Sequence, residues 1–281
     1  MLNQIKTILL LGILTGIMLV VGQLIGGAQG LTIALVIVVA MNFFSYFFSD
    51  KMVLLMYRAK LLKKSEAPEI FQIVDEVRKE AGIPMPKLYV VPTNTPNAFA
   101  TGRNPKHAAV AVTAGIVSLL NKEELKGVLA HELSHIKNRD ILIQTVAATI
   151  AGVISYLAMM FKWAAIFGGG DRDRSGSQVF GLLALAIITP LLAMILQLAI
   201  SRAREYMADE SGARLVKNPK ALASALAKLN EGVKAKPMRF GSQATSSLFI
   251  VNPFSANGIF NLLSTHPPVE ERIKRLNQLK I

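Results

Sequence analysis

His131 and His135 stand four residues apart in the stretch "LAHELSHIKNRDILIQTV", and Glu132 follows the first of them. On a helix, residues four apart lie on one face, one turn above the other. Two imidazoles at that spacing can converge on a single zinc ion. Glu132 then stands beside the ion, placed to hold a water rather than to bind the metal. The chemistry of such a set is metal-assisted hydrolysis. Zinc lowers the pKa of a bound water and polarises a scissile carbonyl. Glu132 takes the proton of the water and passes it to the leaving amine. The spacing is the H-E-x-x-H pattern of zinc peptidases. The chain has four histidines and no cysteine, which removes thiol catalysis and disulfides, and any metal must take His, Asp or Glu ligands. The competing reading is a plain helix with two surface histidines.

A catalytic zinc site takes a third protein ligand and keeps one open position. The long form of the motif needs Gly at 138 and His at 141. The chain has Asn138 and Ile141 there, so the third ligand lies elsewhere. The downstream acids are Asp140, Glu205, Asp209, Glu210, Glu231, Glu270 and Glu271. His135 precedes the apolar run that starts at Ile141, and Glu205 follows the one that ends at Ser201. At ~1.5 Å rise per residue the two stand roughly 9 Å and 6 Å above one surface. Position therefore gives Glu205 a modest lead, which it does not hold strongly over Glu210. Asp209, one turn beyond Glu205, is placed to orient a ligating histidine.

The elements that must carry these residues are unusually apolar. Of 281 residues, 52% are hydrophobic, and the mean hydropathy is +0.43. Residues 7–49 carry no charge, and "TILLLGILTGIMLVVGQLIGG" and "LTIALVIVVAMNFFSYFFS" are each near the ~20 residues that cross a bilayer. The "GGAQG" that joins them reads as a turn, so 1–50 is expected to form a membrane hairpin. A cleaved signal peptide is the weaker reading, because the second apolar run follows at once. Further uncharged runs at 141–161 and 175–201, the latter with Pro190 as a kink, make a second pair within 141–201. An even number of spans puts 51–140 and 202–281 on one side with the N-terminus. These segments hold most of the Lys and Arg behind a net charge of +13, and the excess of positive charge on that side marks it as cytoplasmic.

The polar segments read as α+β, mostly helical with a small sheet: a zincin-like domain in two pieces, 51–140 and 202–281, on four transmembrane helices. "SEAPEIFQIVDEVRKEAGIP" has a helical apolar face of Ile70, Phe71, Ile73, Val74 and Val77, Ser65 as cap, and Gly82 and Pro84 as stops. "KLYVV", "NAFAT" and "AAVAVT" read as short strands. "NKEELKGVLAHELSHIKNRD" is a helix capped by Asn121, and "NPKALASALAKLNEGV" is another that opens on Pro219. Residues 236–264 read as a loop whose Gly, Ser and Asn content suits a gate, and "PPVEERIKRLNQLKI" as a closing amphipathic helix.

Taken together, "PNAFATG", "HELSHIKNRD", two apolar runs, "SRAREYMAD" and "THPPVEERI" resemble the HtpX family of bacterial heat-shock membrane zinc metalloproteases. That family belongs to the gluzincin group and is related to the CAAX prenyl proteases, and the likeness spans nearly the whole chain. The resemblance implies one Zn²⁺ held by His131, His135 and Glu205, with Asp209 behind them. It implies that Asn97, Ala98 and Phe99 open an edge strand that pairs with substrate backbone. It implies His266 at the oxyanion of the intermediate, and Arg272 beside Glu205 or the substrate. The implied activity is cleavage of misfolded or damaged membrane proteins, and of unfolded chains, at the cytoplasmic face of the inner membrane.

Other classes fit less well. No glycine-rich phosphate loop or aromatic-interleaved basic motif is present, so neither nucleotide nor nucleic acid is expected as a partner. An intramembrane protease would carry the motif inside a span, whereas "NKEELK" and "KNRD" flank it here. The apolar runs carry no charge of the kind a transporter uses. A zinc-stabilised scaffold or chaperone-like protein without proteolysis would fill four protein positions and leave Glu132 superfluous. His107 receives no role.

Overall fold

The structure is a computed structural model that describes residues 2–142, 202–241, 243–254 and 267–281. It is mostly helical with a small sheet, the α+β class expected. Helix α1 (Leu2–Met56) is broken at Gly26 and Gly27, where Gly27 takes φ 55°. A Cβ on Gly22 would lie 2.5 Å from the Cβ of Ala34 and 2.6 Å from the Gly30 carbonyl oxygen. In an unbroken helix residues 22 and 34 would be about 18 Å apart. The chain therefore doubles back at the two glycines, and small residues let its arms touch. Among the described residues no helix is long and apolar enough to cross a membrane. The apolar runs expected at 141–161 and 175–201 lie outside the described residues, save Ile141 and Leu142.

Strand β1 (Lys60–Leu61) and helix α2 (Pro68–Ala81) follow. The helix starts later than the Ser65 cap predicts. Pro68 supplies the first helical position, where its missing N–H and fixed φ cost nothing, and Ala67 stands at the cap without a side-chain bond. Ser65 lies in the turn before it, where the Glu66 N–H bonds the Lys63 carbonyl. Gly82, at φ 69°, ends the helix as expected.

Strands β2 (Lys87–Val91), β3 (Ala98–Gly102) and β4 (Ala108–Thr113) complete a sheet of order β1-β2-β4-β3. β2 and β4 are parallel, while β1 with β2 and β3 with β4 are antiparallel. The crossover leaves β3 at an edge of the sheet, with Asn97 one residue before the strand. After the short α3 (Ala114–Leu119), helix α4 (Lys122–Lys137) opens on a capping box. The Asn121 side chain accepts from the Glu124 N–H, and Glu124 accepts from the Asn121 N–H, each at 3.0 Å. That satisfies two of the donors a helix start leaves open.

From Glu124 to Ile136 every residue of α4 except Lys126 is buried. α2 packs on one side of it and the sheet on another. α5 (Arg202–Val216) and α6 (Pro219–Ala235) pack on the rest. Leu129, Leu133, Ile136, Leu222, Leu226 and Ile116 form the centre of the core. α7 (Val269–Gln278) closes the chain against α5 and α6, and buries Arg272 and Leu276.

α5 approaches α4 tightly at Gly212. A Cβ there would stand 2.8 Å from the His131 nitrogen and 2.9 Å from its Cα. Both are backbone atoms inside a helix and cannot move aside alone. Gly212→Val should therefore push α5 away from α4 at the level of the histidines. The expected result is a loss of about 1–3 kcal/mol of stability with weaker zinc retention. Thermal melting and chelator competition on the purified variant would show both, and unchanged melting and retention would contradict this packing.

Candidate metal centre

α4 turns both histidines toward α5. The Nε2 atoms of His131 and His135 lie 3.1 Å apart. Glu205, in the first turn of α5, places Oε2 3.7 Å from Nε2 of His131 and Oε1 3.7 Å from Nε2 of His135. One donor atom from each of the three falls within 4.8 Å of the others, and all three residues are buried. Two ligands on one tetrahedral zinc, with bonds near 2.0–2.1 Å, stand about 3.3 Å apart. The observed separations bracket that value, so the donor set fits a zinc ion.

The far side of each imidazole is held by a carboxylate. Asp209 Oδ1 lies 2.9 Å from Nδ1 of His131, and Asp140 Oδ2 lies 3.0 Å from Nδ1 of His135. With Nδ1 engaged, the Nε2 lone pairs face the centre. Asp140 reaches back because α4 ends at Asn138 and Arg139 takes a positive φ of 57°. Arg272 grips Asp209 with both arms of its fork, Nε to Oδ2 at 2.8 Å and Nη2 to Oδ1 at 2.7 Å. Its third nitrogen, Nη1, donates to the Ile250 carbonyl at 2.6 Å and stands 3.9 Å from Glu205 Oε2.

Charge argues in the same direction as geometry. Glu132, Asp140, Glu205 and Asp209 are buried here with Arg204 and Arg272. With all four carboxylates ionised and both imidazoles neutral, as ligation requires, four carboxylates against two guanidiniums leave two negative charges, the complement of a divalent cation. Burial pushes Glu132 up to about 8, helped by the Glu205 charge and opposed by His135. Burial disfavours a charged His135, but the Asp140, Glu205 and Glu132 carboxylates outweigh it and hold the ring at about 10. Burial lowers His131 despite Asp209. A dication at the centre reverses this logic: it favours the Glu132 carboxylate and neutral imidazoles.

The residues singled out in the sequence fall as follows. His131, Glu132, His135, Glu205, Asp209 and Arg272 come together. Arg272 bonds Asp209 rather than standing mainly with Glu205. Asn97, Ala98 and Phe99 are buried at the sheet edge. The backbone N–H of Ala100 lies close enough to Glu132 to favour its carboxylate form, which brings that edge to the centre. His266 lies outside the described residues. Of the other acids, Glu210 pairs with Arg214, Glu231 with Lys234 and Glu271 with Arg275, all on α5, α6 or α7 away from the histidines. Glu270 is exposed. His107 is exposed on Asn104. Sequence reasoning missed Asp140 as the partner of His135, having weighed it only as a metal ligand. It also missed the Ile250 carbonyl, whose approach no local pattern announces.

A buried His–His–Glu cluster on two packed helices, with a second glutamate beside it and a strand edge alongside, is the arrangement of a metallopeptidase site. The family model for peptidase family M48 matches residues 64–280, and the chain belongs to that family. It is similar to proteins described as "Protease HtpX homolog". The one from Desulfatibacillum aliphaticivorans is 55% identical over 98% of this chain and 89% of its own length. The one from Pyrococcus furiosus is 51% identical over 98% and 95%. The fold is shared with the crystal structure of S. mikatae Ste24p at a TM-score of 0.54 and 18% identity. The likeness covers 98% of this chain but only 65% of Ste24p.

Two outcomes follow from this geometry. Asp140→Ala should weaken zinc retention about 10–100-fold, read by competition with a chromogenic chelator, while the helices stay folded by circular dichroism. Retention equal to wild type would mean that Asp140 does not orient His135. The second outcome concerns pH after zinc has been stripped. Glu132 keeps its proton to about 8 in the folded chain against 4.5 ordinarily, so its stabilisation is full below 4.5 and lost as the pH rises to 8. His135 at about 10 against 6.5 contributes fully below 6.5 and loses its share by 10. The stripped protein should therefore melt at progressively lower temperature from pH 5 to 9, and Glu132→Gln should flatten the lower part of that slope. A melting temperature that climbs with pH would contradict it.

Proposed function

We propose that the chain is a membrane-integrated zinc endopeptidase that hydrolyses peptide bonds of misfolded or damaged membrane proteins at the cytoplasmic face. The observation that carries this reading is the convergence of His131, His135 and Glu205 with Glu132 buried between them and the edge of β3. Zinc, when bound by these three residues, supplies an acidified water and a polarised carbonyl. The chain's own residues do the rest. Glu132 takes the proton of the attacking water and delivers it to the amine as the peptide C–N bond breaks. Asp209 and Asp140 hold the two imidazoles in the ligating tautomer, and Arg272 holds Asp209. Asn97 leads into, and Ala98 and Phe99 open, the strand with which an extended substrate pairs. His266 is assigned to the oxyanion on the resemblance noted above.

The membrane reading is supported by the uncharged runs at 7–49, 141–161 and 175–201. Exposed Ile33, Val36, Val39, Phe43 and Phe44 on the second arm of α1 support it too, since so large an apolar surface calls for cover. The excess of Lys and Arg in 51–140 and 202–281 supports a cytoplasmic position for those segments. The substrates are membrane or unfolded proteins, and neither nucleotide nor nucleic acid enters the reaction.

The test uses detergent-purified protein, with bound zinc and casein cleavage measured side by side. Glu132→Ala should keep its zinc and lose about 10²–10⁴-fold in turnover. Glu205→Ala should lose both zinc and turnover. A Glu132→Ala protein that cleaves like wild type would end the peptidase reading and leave a structural zinc site.

A further inference from the structure

The outer edge of β3 is taken up by the chain itself. Asn97 and Thr113 bond each other within the sheet, the Thr113 N–H to the Asn97 carbonyl at 3.0 Å. Strand alternation then turns the backbone groups of Ala98 and Ala100 outward. Residues 249–251 lie on that outward side. The Ile250 N–H donates to the Ala98 carbonyl at 3.2 Å, and Phe249 pairs antiparallel with Phe99. The Asn97 Nδ2 donates to the Val251 carbonyl at 2.7 Å. The Ile250 carbonyl is held by Arg272 Nη1, the nitrogen nearest Glu205. Two residues along the same edge, the Ala100 N–H lies near enough to Glu132 to favour its carboxylate. A short segment of the chain thus lies against the strand that leads to Glu132, tied to it by one antiparallel bridge at Phe249 and by the bonds to Ala98 and Asn97.

We propose that Phe249–Val251 occupies the place of the substrate strand, that a peptide must displace it, and that the seat of Phe249 is a subsite for an aromatic or large apolar side chain. This rests on the peptidase reading above. The seat is built for a ring. The Phe249 centroid lies 4.9 Å from that of Tyr57 and 5.1 Å from that of Phe99, both edge to face, and Leu248 and Met238 pack in the same buried cluster. A substrate strand would give its N–H to the Ala98 carbonyl and its carbonyl to Arg272, as Ile250 does. Aromatic side chains are mostly buried in native proteins, so a chain that offers both an unpaired strand and a free ring is an unfolded one. The strap therefore acts as a filter. Folded proteins cannot compete for the edge, and every substrate binds with its affinity lowered by the fraction of time the strap is seated.

The test uses zinc-loaded, full-length protein in detergent and a fluorogenic peptide series. Phe, Leu, Ala or Lys stands in turn at each of three residues on either side of the cleaved bond. Wild type should prefer Phe at one position by about threefold or more in kcat/KM. Ile250→Pro, which removes the N–H given to Ala98, should lower KM by roughly the same factor with little change in kcat, because the competing strap is loosened. In Glu132→Gln protein the Phe peptide should speed amide exchange at Ile250, a readout that stands if the proline variant fails to fold. Cleavage with no side-chain preference overturns the subsite. A folded proline variant with unchanged or higher KM, or exchange at Ile250 unchanged by peptide, overturns the displacement. If zinc-loaded wild type cleaves no peptide at all, the peptidase reading fails, and this proposal with it.

Discussion

Buried charge is the constraint on which the rest of this molecule depends. Two imidazoles, four carboxylates and two guanidiniums sit away from water where α4, α5 and α7 meet. An unpaired ion in such a place costs several kcal/mol, so each must be held by a partner at short range. The Asp209–Arg272 fork, at 2.7 and 2.8 Å, and the Asp140–His135 contact, at 3.0 Å, meet that demand for their own groups, while the guanidinium nitrogens of Arg204 have no hydrogen-bond partner among the described residues. The charge left over favours a divalent cation at the convergence of His131, His135 and Glu205. Fold and metal site are therefore one problem. α5 can approach α4 only because Gly212 lacks a side chain, and the approach is what sets Glu205 and Asp209 against the histidines.

The same network joins the metal to the sheet edge. Arg272 touches Asp209, which holds His131, and also the carbonyl of Ile250, which rests on Ala98. Glu132 lies near Ala100 on that strand. Anything that moves the edge is felt at an imidazole through one arginine and one aspartate, and at the general base through the nearby Ala100 backbone. A peptide that enters along β3 meets the reactive groups through contacts already formed within the chain. The sheet order matters here: β4 is made after β3 yet inserts beside β2, so β3 is left at the rim with its outward groups facing α4.

Much of this was legible in the sequence because it rests on short-range rules. The i, i+4 spacing placed His131 and His135 on one face. Asn121 announced the cap that starts α4, and Pro219 the start of α6. The alternation in "AAVAVT" and "KLYVV" marked β4 and β2. Where the reading slipped, a neighbour outweighed a propensity: Ser65 is a good cap, but Pro68 three residues on takes the first helical turn. Residues 243–254 read as a loop because no periodicity runs through them. Their order comes from Tyr57, Phe99 and Arg272, all distant along the chain.

The sequence by itself determined the chemistry on offer: a metal pair with a base beside it, no thiols, acids downstream, and apolar runs too long for an ordinary soluble core. Those follow from residue type and from periods of two and 3.6, which are local. Tertiary structure alone decided which acid meets the histidines. Glu205, Asp209, Asp140 and Glu210 are chemically alike, and only the packing of α5 at Gly212 and the turn at Arg139 send the first to the centre, the next two to the imidazole backs and the last to solvent. It also decided that the edge of β3 carries a strap, because contact between residues 98 and 250 is a matter of where the chain returns, and no local pattern encodes that.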